Sequence, residues 1–284
     1  MTTIAYFILA HAHPEQISRL VQQLNTPHSR FYIHIDANTP DATFTALQSQ
    51  LSALENIHFI ERQACRWGGF SLVDASLRLM AAANKDGFDW GVLLSGQDYP
   101  IHSNQYIEET LARSPYLGLI DIKPAPEFDI AYRYRAWHFE TLNGTRLNKA
   151  LQKIQRLSRK VGIERALPAP ISQVYAGSQW WTLSHSACQT VLDFVAKQPQ
   201  VVDFFRHTLI PDEMFFQTIL MNSPLAEQLS SDARRYLEWD EGAWSPRLLK
   251  PENTSQLRDS KALFARKFAA DFATTQALIN LHRQ

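Results

Sequence analysis

Ile4-Ala5-Tyr6-Phe7-Ile8-Leu9-Ala10-His11-Ala12-His13-Pro14 opens as an unbroken apolar run and closes on two histidines and a proline. The run is too short to span a bilayer and lacks the basic flank of a secretory leader, so it reads as a buried strand. Beyond Pro14, Ile17, Leu20, Val21 and Leu24 recur at helical spacing. A strand apolar on both faces, followed at once by an amphipathic helix, is the unit from which parallel sheets are built.

The same alternation continues outward. Residues 31–35, 57–60 and 90–94 read as further strands. Thr39-Pro40-Asp41 opens a helix carrying Phe44, Leu47, Leu51 and Leu54, and a second stripe runs through Phe70, Val73, Leu77 and Met80. This predicts an α/β fold with a mostly parallel central sheet flanked by helices. In such sheets ligands bind beyond the carboxyl ends of the strands. Those ends carry His11 and His13, then Asp36, then Ser95-Gly96-Gln97-Asp98.

From residue 122 the pattern changes. Lys123 to Pro126 reads as a loop, followed by an aromatic and basic stretch from Tyr132 to Phe139. A basic helix is predicted over 145–165. It is either a solvated face or a docking surface for anionic lipid or an acidic acceptor. Residues 174–183 read as a strand leading into a helix near Ser184, and Pro211-Asp212-Glu213 opens another helix. Residues 235–239 read as a strand, and a C-terminal amphipathic helix is predicted over 257–281. The whole reads as a single domain, 1–284, with a nucleotide-binding half (1–121) and an acceptor and catalytic half (122–284).

Lys plus Arg and Asp plus Glu each total 28, so no basic field exists to track a nucleic acid, although a local pocket for one small anion remains open. Cys65 and Cys188 stand in no metal-ligand or disulfide spacing and read as buried thiols, which suits a reducing, cytoplasmic compartment. Peripheral association with the inner face of a membrane would run through the basic helix.

Glycosyl transfer with inversion at such a crevice makes three demands. A base takes the acceptor proton, charge on the departing diphosphate is neutralised, and the sugar is positioned for backside attack. Many transferases meet the second demand with a divalent metal on Asp-x-Asp. That motif is absent, and the nearest match, Asp121-Ile122-Lys123, puts a cation in place of the second carboxylate. Protein cations would then substitute, and Arg247 and Lys267 are candidates. Glu213 is the candidate base, at a position that equally reads as an ordinary acidic helix start.

Seven blocks carry a resemblance. They are Ala5 to His11, Tyr32 to Asp36, and Leu93-Leu94-Ser95-Gly96-Gln97-Asp98-Tyr99-Pro100-Ile101. Gly177-Ser178-Gln179-Trp180-Trp181-Thr182-Leu183-Ser184 and Pro211-Asp212-Glu213-Met214-Phe215-Phe216-Gln217-Thr218-Ile219 follow. Arg235 to Trp239 and Leu263-Phe264-Ala265-Arg266-Lys267-Phe268 complete the set. In this order they resemble the core-2/I-branching β-1,6-N-acetylglucosaminyltransferase family, which includes the protein O-xylosyltransferases.

The resemblance implies a GT-A-like fold, a UDP-sugar donor (UDP-GlcNAc or UDP-xylose), a glycan or glycoside acceptor, inversion, and neither metal nor other cofactor. It puts the base on Glu213, diphosphate binding on Arg247 and Lys267, nucleotide contact on Asp36, and acceptor stacking on Trp239. By their place at strand ends rather than by the resemblance, His11 is assigned to the donor site and Gln97 and Asp98 to donor or acceptor binding, with the acceptor preferred, although Ser95 to Asp98 also reads as an Asx-type turn. Trp67-Gly68-Gly69 is either a plain loop or a close backbone approach to a ligand.

The animal members carry an anchor, a stem and disulfides, so the chain resembles a bacterial, cytoplasmic member. Residues 123–170 show no counterpart of the family's acceptor-binding residues. Two other readings compete. One is a catalytically silent sugar- or nucleotide-binding module stacking ligands on Trp180, Trp181 and Trp239. The other is a hydrolase, which the absence of Gly-x-Ser-x-Gly disfavours.

Overall fold

Strand β1 (Ile4–Ala10) is buried along its whole length because its alternate side chains enter two different cores. Ala5, Phe7 and Leu9 join one, and Tyr6, Ile8 and Ala10 the other. The computed structural model describes residues 2–125, 130–142, 144–243, 245–271 and 275–278. After β1 come α1 (Pro14–Leu24), β2 (Ser29–Ile35), α2 (Asp41–Leu51), β3 (Ile57–Phe59), α3 (Ser71–Asp86) and β4 (Trp90–Ser95). β1 pairs in parallel with both β2 and β4, and β2 with β3. Helices α1 and α3 cover opposite faces: Ile17, Leu20 and Val21 pack in the Tyr6 core, Val73, Leu79 and Met80 in the Phe7 core.

The chain continues through β5 (Tyr99–Pro100), α4 (Asn104–Ala112), β6 (Gly118–Leu119), β7 (Lys123–Pro124), α5 (Ala131–Tyr134) and α6 (Arg146–Lys160). It then forms β8 (Tyr175–Ala176), β9 (Thr182–Ser184), α7 (His185–Lys197), α8 (Pro199–Arg206) and α9 (Phe215–Met221). Strands β10 (Leu229–Ser230) and β11 (Arg235–Leu237), helix α10 (Thr254–Asp259) and strand β12 (Phe264–Arg266) follow. Among the described residues the main sheet has the order β10-β6-β9-β4-β1-β2-β3. β9 runs antiparallel to both β4 and β6, so the sheet is mostly parallel with one reversed strand. A smaller sheet, β11-β12-β5, ties the last strand to the segment that follows β4.

Four expectations are corrected. Residues 174–183 form two short strands, β8 and β9, with Gly177 to Trp181 bent between them. The bend follows Asp121, whose carboxylate accepts the Ser178 N–H at 3.1 Å. The basic helix ends at Lys160, and Arg165 lies beyond it, buried. Its guanidinium donates to the carbonyls of Ala136 (3.0 Å) and His207 (2.7 Å) and sits 4.1 Å over the Phe204 ring. Burial pushes its pKa down to about 10.

Residues 257–281 do not form one helix. α10 is short, and β12 interrupts the span with Leu263, Phe264 and Ala265 all buried, a run whose period does not separate strand from helix. Thr275 to Leu278 are helical, while 272–274 and 279–284 lie outside the described residues. Pro211 to Glu213 is a 3-10 turn, broken from α9 by Met214 at φ −139°. Among the described residues, no helix is long and apolar enough to cross a membrane.

Candidate active site

The carboxyl ends of β1, β2 and β4 open onto a cleft of about 810 Å³. His11 and His13 line it after β1, Asp36 after β2, and Gly96 and Gln97 after β4. Asp36 ties its own loop to the one after β3: its Oδ1 accepts the N–H groups of Asn38 at 2.8 Å and Cys65 at 3.1 Å. The His11 carbonyl accepts the Thr39 hydroxyl at 2.8 Å, which binds the first strand end to the second. His34, buried beneath them, accepts the Gln63 N–H through Nε2 at 3.1 Å. Burial lowers its pKa, consistent with a neutral imidazole acting as acceptor.

Glu213 enters the cleft from the 3-10 turn. Its carboxylate, partly open to solvent, accepts a hydrogen bond from Arg133 Nη1 of α5 at 2.8 Å. Its carbonyl accepts the Gly177 N–H at 2.9 Å. The backbone here has no room for a side chain, since a Cβ on Gly177 would lie 1.8 Å from the Asp121 carbonyl oxygen. Because α9 starts only at Phe215, a guanidinium rather than a helix N-terminus balances the Glu213 charge.

Asp212 turns the other way. It is 6% exposed, and among the described residues its Oδ1 has no hydrogen-bond partner. Burial, and then the negative charge of Glu213, push its pKa up to about 7. Two consecutive carboxyl groups are thus separated in character, one buried and easily protonated, one solvated and ion-paired.

Lys267 lines the cleft and has no ion-pair partner among the described residues. Arg266 also lines it, with its guanidinium 4.2 Å from the centre of the Trp180 ring and its Nε 3.4 Å from Asp98. Arg247 sits next door, in an adjoining cavity of about 830 Å³ whose wall shares Gln97, Ser245, Pro246 and Lys267 with the cleft. There it is ion-paired with Glu238. Trp239, 54% exposed, stands on the cleft wall, whereas Trp244, next to Arg247 in sequence, lies outside the described residues.

Asp98 is not part of that wall. It is 2% exposed and accepts the Ser95 N–H at 2.7 Å and hydroxyl at 3.1 Å, which is the turn reading of Ser95 to Asp98. Burial raises its pKa against the opposing pull of Arg266. Trp181 is fully buried against Phe7 and Phe216 and offers no stacking face. Gly69 packs on Glu140 rather than on an open cavity, since a Cβ there would lie 2.1 Å from the Glu140 Cδ. Glu140 in turn accepts the Ser71 N–H at the start of α3. Among the described residues, no three His, Cys, Asp or Glu side chains converge as a cation site would need.

The sequence reading missed Arg133 and Arg266. Arg133 is remote from Glu213 along the chain, and only the fold joins them. Arg266 directly precedes Lys267, and its stacking on Trp180 has no local sequence signal.

A family model described as Core-2/I-Branching enzyme matches residues 4–260. The chain belongs to this family. The match spans the strand ends, Glu213 and Arg247, and stops short of Lys267. Similar curated relatives include Xylosyltransferase 2 of Rattus norvegicus, 27% identical over 94% of this chain and 32% of that protein. Xylosyltransferase of Ciona intestinalis is 26% identical over 93% of this chain and 32% of its own length. Xylosyltransferase oxt of Drosophila melanogaster is 26% identical over 89% and 30%. The chain therefore spans about a third of the length of the curated relatives it matches. Core-2/I-branching membership covers nearly every element that walls the cleft.

Proposed function

We propose that the chain is an inverting, metal-independent glycosyltransferase moving a sugar, GlcNAc or xylose, from a UDP-sugar to a hydroxyl of a glycan or glycoside. The observation carrying this reading is that one cleft at the strand ends is lined by both an ion-paired carboxylate, Glu213, and a cation, Lys267, with no ion-pair partner among the described residues. Glu213 takes the proton of the acceptor hydroxyl as that oxygen bonds to the anomeric carbon. The bond from that carbon to the β-phosphate oxygen breaks, and UDP leaves with the electron pair. Lys267 neutralises the charge that develops there.

Asp36 and His11 belong to the donor side, and Trp239 and Gln97 to the acceptor side. Asp98 acts through the turn that presents Gln97. Arg247 joins the diphosphate by exchanging Glu238 for phosphate. Metal independence is supported by the missing Asp-x-Asp and by Lys123, whose ammonium lies 3.8 Å from Asp121 where a second carboxylate would otherwise stand. We read residues 1–121 and 122–284 as the nucleotide and acceptor halves of one working unit. The free thiols of Cys65 and Cys188 suit a cytoplasmic setting.

The test is Glu213→Gln. Transfer from UDP-GlcNAc or UDP-xylose falls by on the order of 10²–10⁴-fold, as for loss of a general base, while calorimetric UDP binding persists. Loss of both would make the glutamate a structural residue and remove it from the mechanism.

A further inference from the structure

Helix α6 is mounted with its polar side inward. Gln155 donates to the Trp137 carbonyl at 2.7 Å and accepts the Trp137 N–H, and Gln152 bonds His138 Nδ1 at 3.0 Å. None of the fifteen residues of the helix is buried. At about 100° per residue, Leu147, Ile154, Leu157 and Val161 share one arc, and they are 57%, 59%, 57% and 73% exposed. Ile163, just past the helix, is 63% exposed. A row of large apolar side chains turned to water on a helix tied down by glutamines is the reverse of the usual surface helix.

The charge on this helix decides what covers the row. Arg146, Lys149, Lys153, Arg156, Arg159 and Lys160 give it six basic residues and no acidic one. Arg146, Lys149, Lys153 and Lys160 project on one flank of the apolar arc. An apolar partner helix would use the row and leave these cations without counter-charge. A polyanion alone would satisfy the cations and leave the row wet. An anionic bilayer surface answers both, because acyl chains accept the row while acidic headgroups meet the flank. Trp137, 42% exposed where the helix is tied down, suits the headgroup level.

We propose that α6 docks the protein flat on an anionic lipid surface, with Leu147, Ile154, Leu157 and Val161 inserted and the lysines and arginines at the headgroups. This is independent of the glycosyl-transfer reading and is tested without turnover. The full chain is co-sedimented with phosphatidylcholine vesicles with and without phosphatidylglycerol, at low and high salt. Binding is expected only with phosphatidylglycerol, and it weakens as salt screens the flank.

The variant K149Q/K153Q/K160Q should weaken partitioning by on the order of 10²-fold, at roughly fivefold per cation. The variant I154N/L157N should weaken it by ~10-fold or more. Both variants should keep wild-type UDP binding and circular dichroism, because they touch neither the cleft nor a buried side chain. Four results overturn the proposal: no binding to either vesicle, equal binding to both, unchanged binding by either variant, or a concentration-dependent dimer abolished by I154N/L157N.

Discussion

Arg133 and Glu213 face each other across a single 2.8 Å hydrogen bond that joins α5 to the turn before α9. The guanidinium is largely buried and the carboxylate partly solvated, so the arginine fixes the orientation of a group that still meets the cleft. Arg133→Met should lower kcat roughly tenfold or more through loss of that alignment, with the donor KM changing little. Steady-state kinetics with varied donor checks this. A rise in KM at constant kcat would instead assign Arg133 to substrate binding.

Lys267 is expected to act on the departing charge. Lys267→Ala should reduce kcat by about 10²–10³-fold, the usual cost of losing one preorganised charge stabiliser. Activity of the wild-type protein should persist in excess EDTA. A strict requirement for added divalent cation would refute the metal-independent part of the proposal.

Asp212 makes stability depend on pH. Its folded pKa, about 7, lies above its ordinary value of 3.8. Between those values the folded state holds more protons than the unfolded one, so stability falls as pH rises. Below about pH 4 this contribution is fully present, and by about pH 8 it is lost. Asp212→Asn removes the charge that burial opposes, so its Tm should exceed wild type at pH 8 and the difference should shrink toward pH 4. Thermal melts across that range test the sign. Parallel curves for the two proteins would show that Asp212 does not titrate in this window.

Gly177→Ala should destabilise the fold by about 1–3 kcal/mol or more, because its Cβ meets the Asp121 backbone rather than a movable side chain. The same backbone carries the N–H that holds the Glu213 carbonyl, so activity should fall with stability. Denaturant melts and initial rates on the same sample check both.

The first half of the fold was legible because β1, β2 and β4 are buried nearly throughout and the helices show an apolar stripe, as in β1 and α1. Past residue 122 the local rules separated states poorly. β9 spans only Thr182 to Ser184, and β12 is a short buried run in a segment with helical character. The strand ends pointed to Asp36, His11 and Gln97 on the cleft wall, as the crevice rule requires. Asp98 belonged to the same short motif yet is spent on the turn and on Arg266, a distinction that depends on burial. The pairing of Arg133 with Glu213 is a tertiary fact with no local signature.

Strand β9 lies between β4 and β6, and Trp90 pairs with Ser184 across a long excursion of chain. During synthesis at about 5–20 residues per second, β4 waits on the order of 10 s for that partner to emerge. Until then β4 is a raw border of the nascent sheet β3-β2-β1-β4, and its free peptide groups invite pairing with a neighbouring polypeptide. A chain truncated before residue 182 would therefore keep that β4 border exposed, and the interval between β4 and β9 is when this protein most needs a chaperone.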